Sequence, residues 1–217
     1  MGFDVKITTK ISILDLIMPY TCRGCGRLGE LLCGRCKNYI IQPETRDRWI
    51  YAVGRREGVL MRLTEDYKYK SIRKTAEVLA ELLDKALPEE LSGPEVVLVP
   101  LPTILPHIRE RGFDHTLRLA KALSRRRGFQ VNSLLSRANK TVQVGSNAAT
   151  RKKQAEEAYE LAPGVAGDKA ALSADKTYLL LDDVSTTGAS LSAAREILRK
   201  NGAKRVLGAV ICLGLND

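Results

Sequence analysis

The sequence has few aromatic residues and no long uninterrupted apolar run. Phe, Trp and Tyr make up 5% of the 217 residues, so few rings are available for stacking on nucleic-acid bases. The apolar stretch at residues 11–18 is broken by Ser12 and Asp15. It is too short and too polar to cross a bilayer or to form the core of a secretion signal. We therefore expect a cytoplasmic protein.

The overall composition is that of a globular protein with a basic surface. Hydrophobic residues make up 44% and charged residues 28% of the chain, and this length suits one α/β domain plus a small appendage. Lys and Arg number 35 against 25 Asp and Glu, a formal net charge of +10. This excess favours anionic partners such as nucleic acid or phosphorylated small molecules, although a solvated basic surface is the alternative.

Four of the five cysteines form two Cys-x-x-Cys pairs near the N-terminus, at Cys22, Cys25, Cys33 and Cys36. Four thiolates at this spacing predict a closed tetrahedral zinc site with a structural or docking role. Redox-active dithiols or free cysteines are the alternatives. Four basic residues surround these pairs, namely Arg23, Arg27, Arg35 and Lys37. The module could therefore contact nucleic acid, or it could hold the N-terminus against the main domain.

The rest of the chain alternates short apolar runs with helical segments. A helix is predicted to end at Leu87, before Pro88, and a strand is predicted at residues 96–99. Residues 117–123 and 191–200 predict helices, and residues 178–181 and 205–213 predict strands. This order is typical of a parallel sheet flanked by helices. We divide the chain into an N-terminal helix and cysteine module at residues 1–45 and an α/β domain at residues 46–217.

The segment at residues 179–190 combines a buried strand, two acids and a loop of small hydroxylated residues. Ligands bind at the carboxyl ends of parallel strands, and backbone amides at a helix N-terminus favour a phosphate. The two acids make sense if they accept hydrogen bonds from the diol of a ribose 5-phosphate, with Mg²⁺ offsetting the remaining repulsion. We assign Asp182 and Asp183 to the diol, and Thr186, Thr187, Gly188, Ala189 and Ser190 to the phosphate. An ordinary strand, turn and capped helix is the alternative.

This segment resembles the signature of the type I phosphoribosyltransferases. The resemblance implies that the chain binds phosphoribosyl pyrophosphate, with Mg²⁺, on the fold of that family. It also implies that Leu101, Pro102 and Thr103, after the first strand of the domain, meet the pyrophosphate. Arg109 and Arg111 could neutralise it, because guanidinium groups match the geometry of phosphates.

Over nearly its whole length the chain resembles the ComF family. The shared features are the four-cysteine head, Lys-Tyr-Lys at residues 68–70, Val-Pro-Leu-Pro at residues 99–102 and Arg-Gly-Phe at residues 111–113. Three residues depart from the family pattern: Asp114 and His115 stand where Asn-Gln is usual, and Gln154 stands where an asparagine is typical. The resemblance implies a role in DNA uptake during natural transformation, with single-stranded DNA and DNA-processing proteins as partners. The alternative is an active transferase that joins ribose 5-phosphate to a nucleobase, with Asp182 and Asp183 as its catalytic residues.

The long polar segment at residues 136–157 corresponds to the hood loop that covers the site in this fold. Its predicted ligand contacts are Arg137, Gln143 and Arg151, and a disordered basic loop is the alternative. We expect His107 and His115 to be solvated or structural rather than acid–base groups. The basic run at residues 125–127 is expected to complement a helix dipole and to face water, and Cys212 to be a buried apolar filler.

Overall fold

A computed structural model describes residues 20–69, 73–138, 159–165 and 172–214. Its helices are α1 (Gly34–Ile40), α2 (Gly58–Tyr69), α3 (Arg73–Ala86), α4 (Leu105–Arg111), α5 (His115–Arg127) and α6 (Ala189–Lys200). Its strands are β1 (Glu44–Arg46), β2 (Ile50–Arg55), β3 (Val96–Pro100), β4 (Gln130–Val131), β5 (Leu135–Arg137), β6 (Tyr159–Leu161), β7 (Thr177–Ser185) and β8 (Arg205–Leu213). The N-terminal helix predicted within residues 1–45, ahead of the cysteine pairs, lies outside the described residues.

The main sheet has six strands in the order β1-β2-β8-β7-β3-β4. The five strands β2, β8, β7, β3 and β4 each run parallel to their neighbours in this order. Within this sheet, only the edge strand β1 pairs antiparallel, with β2. The central strand β7 is buried on both faces, with Leu179, Leu180 and Leu181 each 0% exposed. A strand covered on both faces must be apolar throughout, which is why its sequence reads as a continuous run rather than an alternation.

Helices pack on both faces of this sheet. On one face, α3 and α5 contribute Leu79, Leu83, Leu119 and Leu123 to a buried cluster that also contains Leu179. On the other face, α6 packs Leu191 and Leu198 with Trp49 and Leu180. The predicted α/β class, a mostly parallel sheet flanked by helices, is therefore confirmed. In the described ranges, no helix is both long enough and apolar enough to cross a membrane.

Strand β7 is longer than predicted. The sequence predicts a loop at residues 182–190, but the strand continues to Ser185 and α6 already begins at Ala189. The extension pairs with β8, in which Asp182 lies opposite Val210 and Ser185 lies opposite Leu213. Asp has a low preference for strands, and pairing with a buried neighbour overrides that preference here. Only residues 186–188 form the loop.

The expectation that residues 125–127 face water is wrong for Arg127 alone. Arg127 is half-buried and pairs with Asp84 of α3 at 2.6 Å, whereas Arg125 and Arg126 stay exposed, beside Glu77 and Asp84 respectively. Arg127 also donates to the carbonyl oxygens of Leu87, at 3.0 Å, and of Leu91, at 2.8 Å. The last carbonyls of a helix lack helical partners, and Arg127 satisfies such groups at the end of α3.

The cysteine module packs directly on the α/β domain. Leu31 and Leu32 are each 2% exposed and belong to the same buried cluster as Leu63 of α2 and Leu79 of α3. The boundary placed at residue 45 stays a prediction, because the core is continuous across it.

Candidate functional site

An open cleft of about 330 Å³ lies where strands β3 and β7 end. Parallel strands present their carboxyl ends at one edge of the sheet, so segments far apart in sequence meet there. The described residues that line the cleft are Lys68, Tyr69, Leu101, Pro102, Thr103, Ile104, His107, Arg111, His115, Thr116, Arg137, Tyr159, Asp182, Asp183 and Val184. The cleft therefore combines the predicted acids and the loop after β3 with groups that the sequence did not place there.

The two adjacent acids of β7 occupy different surroundings because successive side chains of a strand point to opposite faces. Asp183 is 3% exposed, and its Oδ2 lies 2.9 Å from Lys68 Nζ and 3.7 Å from His115 Nε2. Asp182 is half-buried, and its Oδ1 accepts a hydrogen bond of 2.8 Å from the backbone amide of Asp183. The lysine contact is an ion pair rather than an aligned hydrogen bond, so Asp183 Oδ2 retains capacity to accept one.

These surroundings separate the pKa values of the two acids. Burial and, to a lesser extent, the neighbouring charge of Asp183 together raise the pKa of Asp182 to about 7. Burial would also raise the pKa of Asp183, but the adjacent His115 ring and the charge of Lys68 outweigh it. Together these two groups hold the pKa of Asp183 well below its usual range. Near neutral pH, Asp183 is therefore ionised, whereas Asp182 is present in both its protonated and its ionised form.

His115 is part of this site rather than a solvated residue. It is 7% exposed, and its Nδ1 lies 3.1 Å from Arg111 Nη1 and 3.2 Å from Thr103 Oγ1. Because a guanidinium nitrogen can only donate, Nδ1 accepts, and a neutral ring carries its proton on Nε2. That proton faces Asp183. Chain position alone predicted neither this placement nor that of Lys68.

Three consecutive backbone amides in the loop after β7 lack an acceptor among the described residues. Gly188 adopts φ = 78° before the first residue of α6, a conformation that favours glycine. Among the described residues, none accepts a hydrogen bond from the amides of Thr186, Thr187 or Gly188, whereas Ala189 N donates to Thr187 Oγ1 at 3.3 Å. Amides at the N-terminus of a helix attract an anion. The loop is therefore chemically suited to a phosphate.

Arg46, which the sequence analysis did not select, supports this loop from strand β1. Its guanidinium donates to the carbonyl oxygen of Thr186, to that of Ser185 at 3.3 Å and to that of Gly214 at 3.3 Å. Turning these carbonyls toward arginine leaves the amides of the loop available on the other side of the chain.

The remaining predicted site residues divide into three groups. Leu101, Pro102, Thr103 and Arg111 line the cleft, as does Arg137, whose Nε donates to Pro102 O at 3.1 Å. Arg109 is exposed on α4 and is not among the described residues that line the cleft, so its role stays a prediction. Gln143 and Arg151 lie outside the described residues.

The group His115, Asp182 and Asp183 is a poor resident magnesium site. Its possible ligand atoms lie within 4.8 Å of one another, but Mg²⁺ prefers oxygen ligands and the Lys68 ammonium already lies 2.9 Å from Asp183 Oδ2. A second cation beside that oxygen would be repelled. The predicted Mg²⁺ therefore stays a prediction, tied to the phosphates of a ligand.

The four cysteines of the N-terminal module converge, as predicted. The sulphur atoms of Cys22, Cys25, Cys33 and Cys36 lie within 4.8 Å of one another, and those of Cys25 and Cys33 are 3.7 Å apart. A disulfide would need roughly 2 Å, whereas sulphurs bound to one tetrahedral zinc at about 2.3 Å lie roughly 3.8 Å apart. Burial alone raises the pKa of Cys22, but backbone amides including that of Cys33 outweigh it and lower the pKa to about 6. The geometry and chemistry of the group fit a zinc ion.

Two of the four basic residues in the module hold it against the α/β domain. Arg23 pairs with the buried carboxylate of Asp66 in α2, and Lys37 Nζ lies 2.7 Å from Glu81 Oε2 in α3. Arg27 and Arg35 are exposed. Arg23 and Lys37, two of the four cations of the module, therefore serve its contact with the α/β domain, and Arg27 and Arg35 stay available to nucleic acid.

The chain shows similarity to known proteins in sequence and in structure. No protein-family model matches the chain. Competence protein F of Haemophilus influenzae is 28% identical over 197 residues, which cover 87% of this chain and 82% of that protein.

Similar solved structures include the allosteric regulatory enzyme of purine biosynthesis, with a TM-score of 0.44 and 14% identity over 68% of this chain. The match spans only 30% of that enzyme. A hypoxanthine phosphoribosyltransferase from Staphylococcus aureus has a TM-score of 0.39 and 12% identity, over 67% of this chain and 75% of its own. The similarity to competence protein F agrees with the resemblance noted from sequence. The parallel sheet confirms the predicted α/β class, and the converging sulphur atoms confirm the predicted cysteine cluster. This chain is thus similar to competence protein F over most of its length, and it combines a mostly parallel α/β sheet with a four-cysteine module.

Proposed function

We propose that this ComF-like chain binds phosphoribosyl pyrophosphate in the cleft at the end of β7. The observation that carries the proposal is the order of groups along one short segment. Asp182 and Asp183 end the strand, and the unpaired amides of residues 186–188 follow at once. A ribose 5-phosphate has a diol for the acids and a phosphate for the amides at a matching separation.

The charges around the acids suit the pyrophosphate of the same ligand. Lys68, Arg111 and His115 line the cleft together with Thr103. Lys68 and Arg111 carry positive charge and donate hydrogen bonds, and Arg111 can bind phosphate oxygens with two parallel bonds. Mg²⁺ bound to the pyrophosphate would supply further charge neutralisation, which is the usual way this ion reaches phosphate sites.

Zinc is the metal that the cysteine module is proposed to hold. Cys22, Cys25, Cys33 and Cys36 supply four thiolates, and such a closed site crosslinks the chain without leaving a position for substrate. The chain's own residues then anchor the module through Leu31 and Leu32, which are buried against the helices of the α/β domain.

A basic groove supports the proposed contact with single-stranded DNA. A depression of about 430 Å³ between α3 and α5 is lined by Lys74, Ala76, Glu77, Arg118, Lys121 and Arg125. Four cationic side chains against one acid make this surface suitable for a phosphate backbone. The related chain is named a competence protein, and we accordingly propose that this one acts in DNA uptake alongside DNA-processing proteins.

Phosphoribosyl transfer is the second candidate function. The cleft extends beyond the acids to Tyr69 and His107, which leaves space for an acceptor such as a nucleobase. An acceptor nitrogen would bond to the anomeric carbon and lose its proton. The bond from that carbon to pyrophosphate would break, and pyrophosphate would leave with the electron pair. Asp182 and Asp183 would stabilise the positive charge that develops on the ribose.

Calorimetric titration of phosphoribosyl pyrophosphate with Mg²⁺ tests the binding site. The double variant Asp182→Asn with Asp183→Asn should weaken binding by about tenfold or more, because each lost charged hydrogen bond is worth roughly 1.5–3 kcal/mol. The control Asp175→Asn changes one exposed acid outside the cleft and should bind normally. Unchanged affinity in a folded double variant with one zinc per chain would refute the role of the acids. Release of pyrophosphate with a panel of nucleobases would distinguish transfer from binding alone.

A further inference from the structure

The last turn of α2 contacts three separate parts of the protein through three consecutive residues. The Asp66 carboxylate is buried and pairs with Arg23 of the cysteine module. Tyr67 is 0% exposed, and its hydroxyl donates to His115 O at 2.6 Å. Lys68 Nζ lies 2.9 Å from Asp183 Oδ2 in the cleft. Residues two apart on a helix point about 200° apart. Arg23 of the module and Asp183 of the cleft therefore contact opposite sides of this turn.

We propose that Arg23 and Asp66 are positioning residues through which the cysteine module holds Lys68 beside Asp183. In this arrangement the module is more than an anchor for the N-terminal segment, because it sets the charge in the ligand cleft through one helical turn. The inference rests on the proposed function for its effect on phosphoribosyl pyrophosphate binding, but the placement of Lys68 can be measured without that ligand.

The need for such a contact follows from the position of Lys68. It is the penultimate residue of α2, which ends at Tyr69, and the ends of helices open more readily than their centres. A lysine side chain also loses about 2 kcal/mol of rotamer entropy when it is held in one place. A buried carboxylate bonded to a guanidinium is a strong and directional tie. Arg62 Nη2 adds a second tie to the same segment, since it donates to Arg23 O at 3.1 Å.

The same module provides a matched control. Lys37 Nζ pairs with Glu81 Oε2 at 2.7 Å, so this contact also joins the module to the α/β domain. Glu81 belongs to α3 and is not among the described residues that line the cleft. Arg23→Met and Lys37→Met therefore each remove one cation of the module, but only Arg23→Met releases the last turn of α2.

Competitive labelling of lysines with acetic anhydride, read by mass spectrometry, measures the placement of Lys68 directly. In the wild-type chain the Lys68 side chain is 23% exposed and its amine is paired with Asp183, so it should react slowly. Arg23→Met should raise its labelling by about fivefold, at the lower end of typical coupling between sites, and Lys37→Met should leave it unchanged. Zinc content and melting temperature, measured in parallel, confirm that both variants are folded. No increase in Arg23→Met, or equal increases in both variants, would overturn the proposal.

A double-mutant cycle then connects the placement to binding. Arg23→Met should weaken the affinity for phosphoribosyl pyrophosphate by about fivefold, and it should have no further effect when Lys68→Met is already present. Independent effects of the two substitutions would overturn the proposed coupling. If the wild-type chain does not bind the ligand at all, the proposed function fails, while the labelling result still decides whether the module positions Lys68.

Discussion

Gly24 and Cys36 are so close that a β-carbon on Gly24 would lie 2.6 Å from the Cys36 sulphur. Substitution Gly24→Ala should therefore displace one of the four thiols and reduce zinc bound per chain. In the matched variant Gly34→Ala, the new β-carbon meets no atom within 4 Å, and the zinc content should stay at one per chain. Atomic absorption of the purified variants measures the difference. Equal zinc content in both would show that Cys36 is not a ligand or can move freely.

The raised pKa of Asp182 predicts a pH-dependent stability. Its folded-state pKa is raised from 3.8 to about 7, so between these values the folded chain binds a proton that the unfolded chain does not. The free energy of unfolding should therefore fall as pH rises through this window, by roughly 1–3 kcal/mol. Asp183 contributes in the opposite sense, but its lowered pKa confines that effect to pH below about 3.8.

Urea unfolding of wild-type chain and of Asp182→Asn, at pH 5 and pH 7.5, isolates this contribution. The asparagine variant cannot titrate at this position and should lack the fall. Asp175→Asn, which changes an exposed acid, should behave like wild type. The same pH dependence in all three chains would show that Asp182 is not responsible.

Arg127 should be far more important for stability than its neighbour Arg125. The side chain of Arg127 is 11% exposed and pairs with Asp84, whereas that of Arg125 is 62% exposed beside Glu77. Breaking a buried pair typically costs about 3–5 kcal/mol, against less than about 1 kcal/mol for an exposed one. The Arg127 pair is half-buried, and Asp84 keeps Arg126 as a partner, so Arg127→Met should lower the free energy of unfolding by roughly 2 kcal/mol. Comparable losses in Arg125→Met would contradict this account of the end of α3.

The basic groove between α3 and α5 makes a quantitative prediction for DNA binding. Lys121 is exposed on α5 and lines the groove. If Lys121 contacts a phosphate, Lys121→Met should weaken binding of single-stranded DNA and reduce the slope of log affinity against log salt by about 0.7. Lys200→Met removes an exposed cation from α6, on the opposite face of the sheet, and should change neither. Fluorescence anisotropy at several salt concentrations would measure both variants, and equal behaviour would place DNA elsewhere.

Local sequence patterns predicted a structural element correctly where all the residues that form it lie in one short segment. The run of Leu179, Leu180 and Leu181 predicted a buried central strand, because only a strand covered on both faces is apolar at every position. The two Cys-x-x-Cys pairs predicted converging thiols for a similar reason, since each pair needs only a short turn to bring two sulphurs together. The fold class followed from the alternation of such strands with helices.

Patterns failed where a residue depends on a distant partner. Asp182 continues a strand because β8 pairs with it, and Arg127 is half-buried because α3 ends beside it. Lys68, His115 and Arg46 reach the candidate site from three different elements. Nothing in their own sequence neighbourhoods indicates which carboxylate or carbonyl they will meet.

The amino-acid order by itself determined the α/β class, the cysteine cluster and the acid pair followed by a small-residue loop. These features depend on the spacing of residues within single segments, and helix and strand geometry convert that spacing into structure directly. The tertiary structure decided that Asp182 and Asp183 differ in charge, and that the cysteine module reaches the cleft through α2. Burial and electrostatic pairing depend on distances of a few ångströms between remote segments, and those distances exist only once the helices have packed on the sheet.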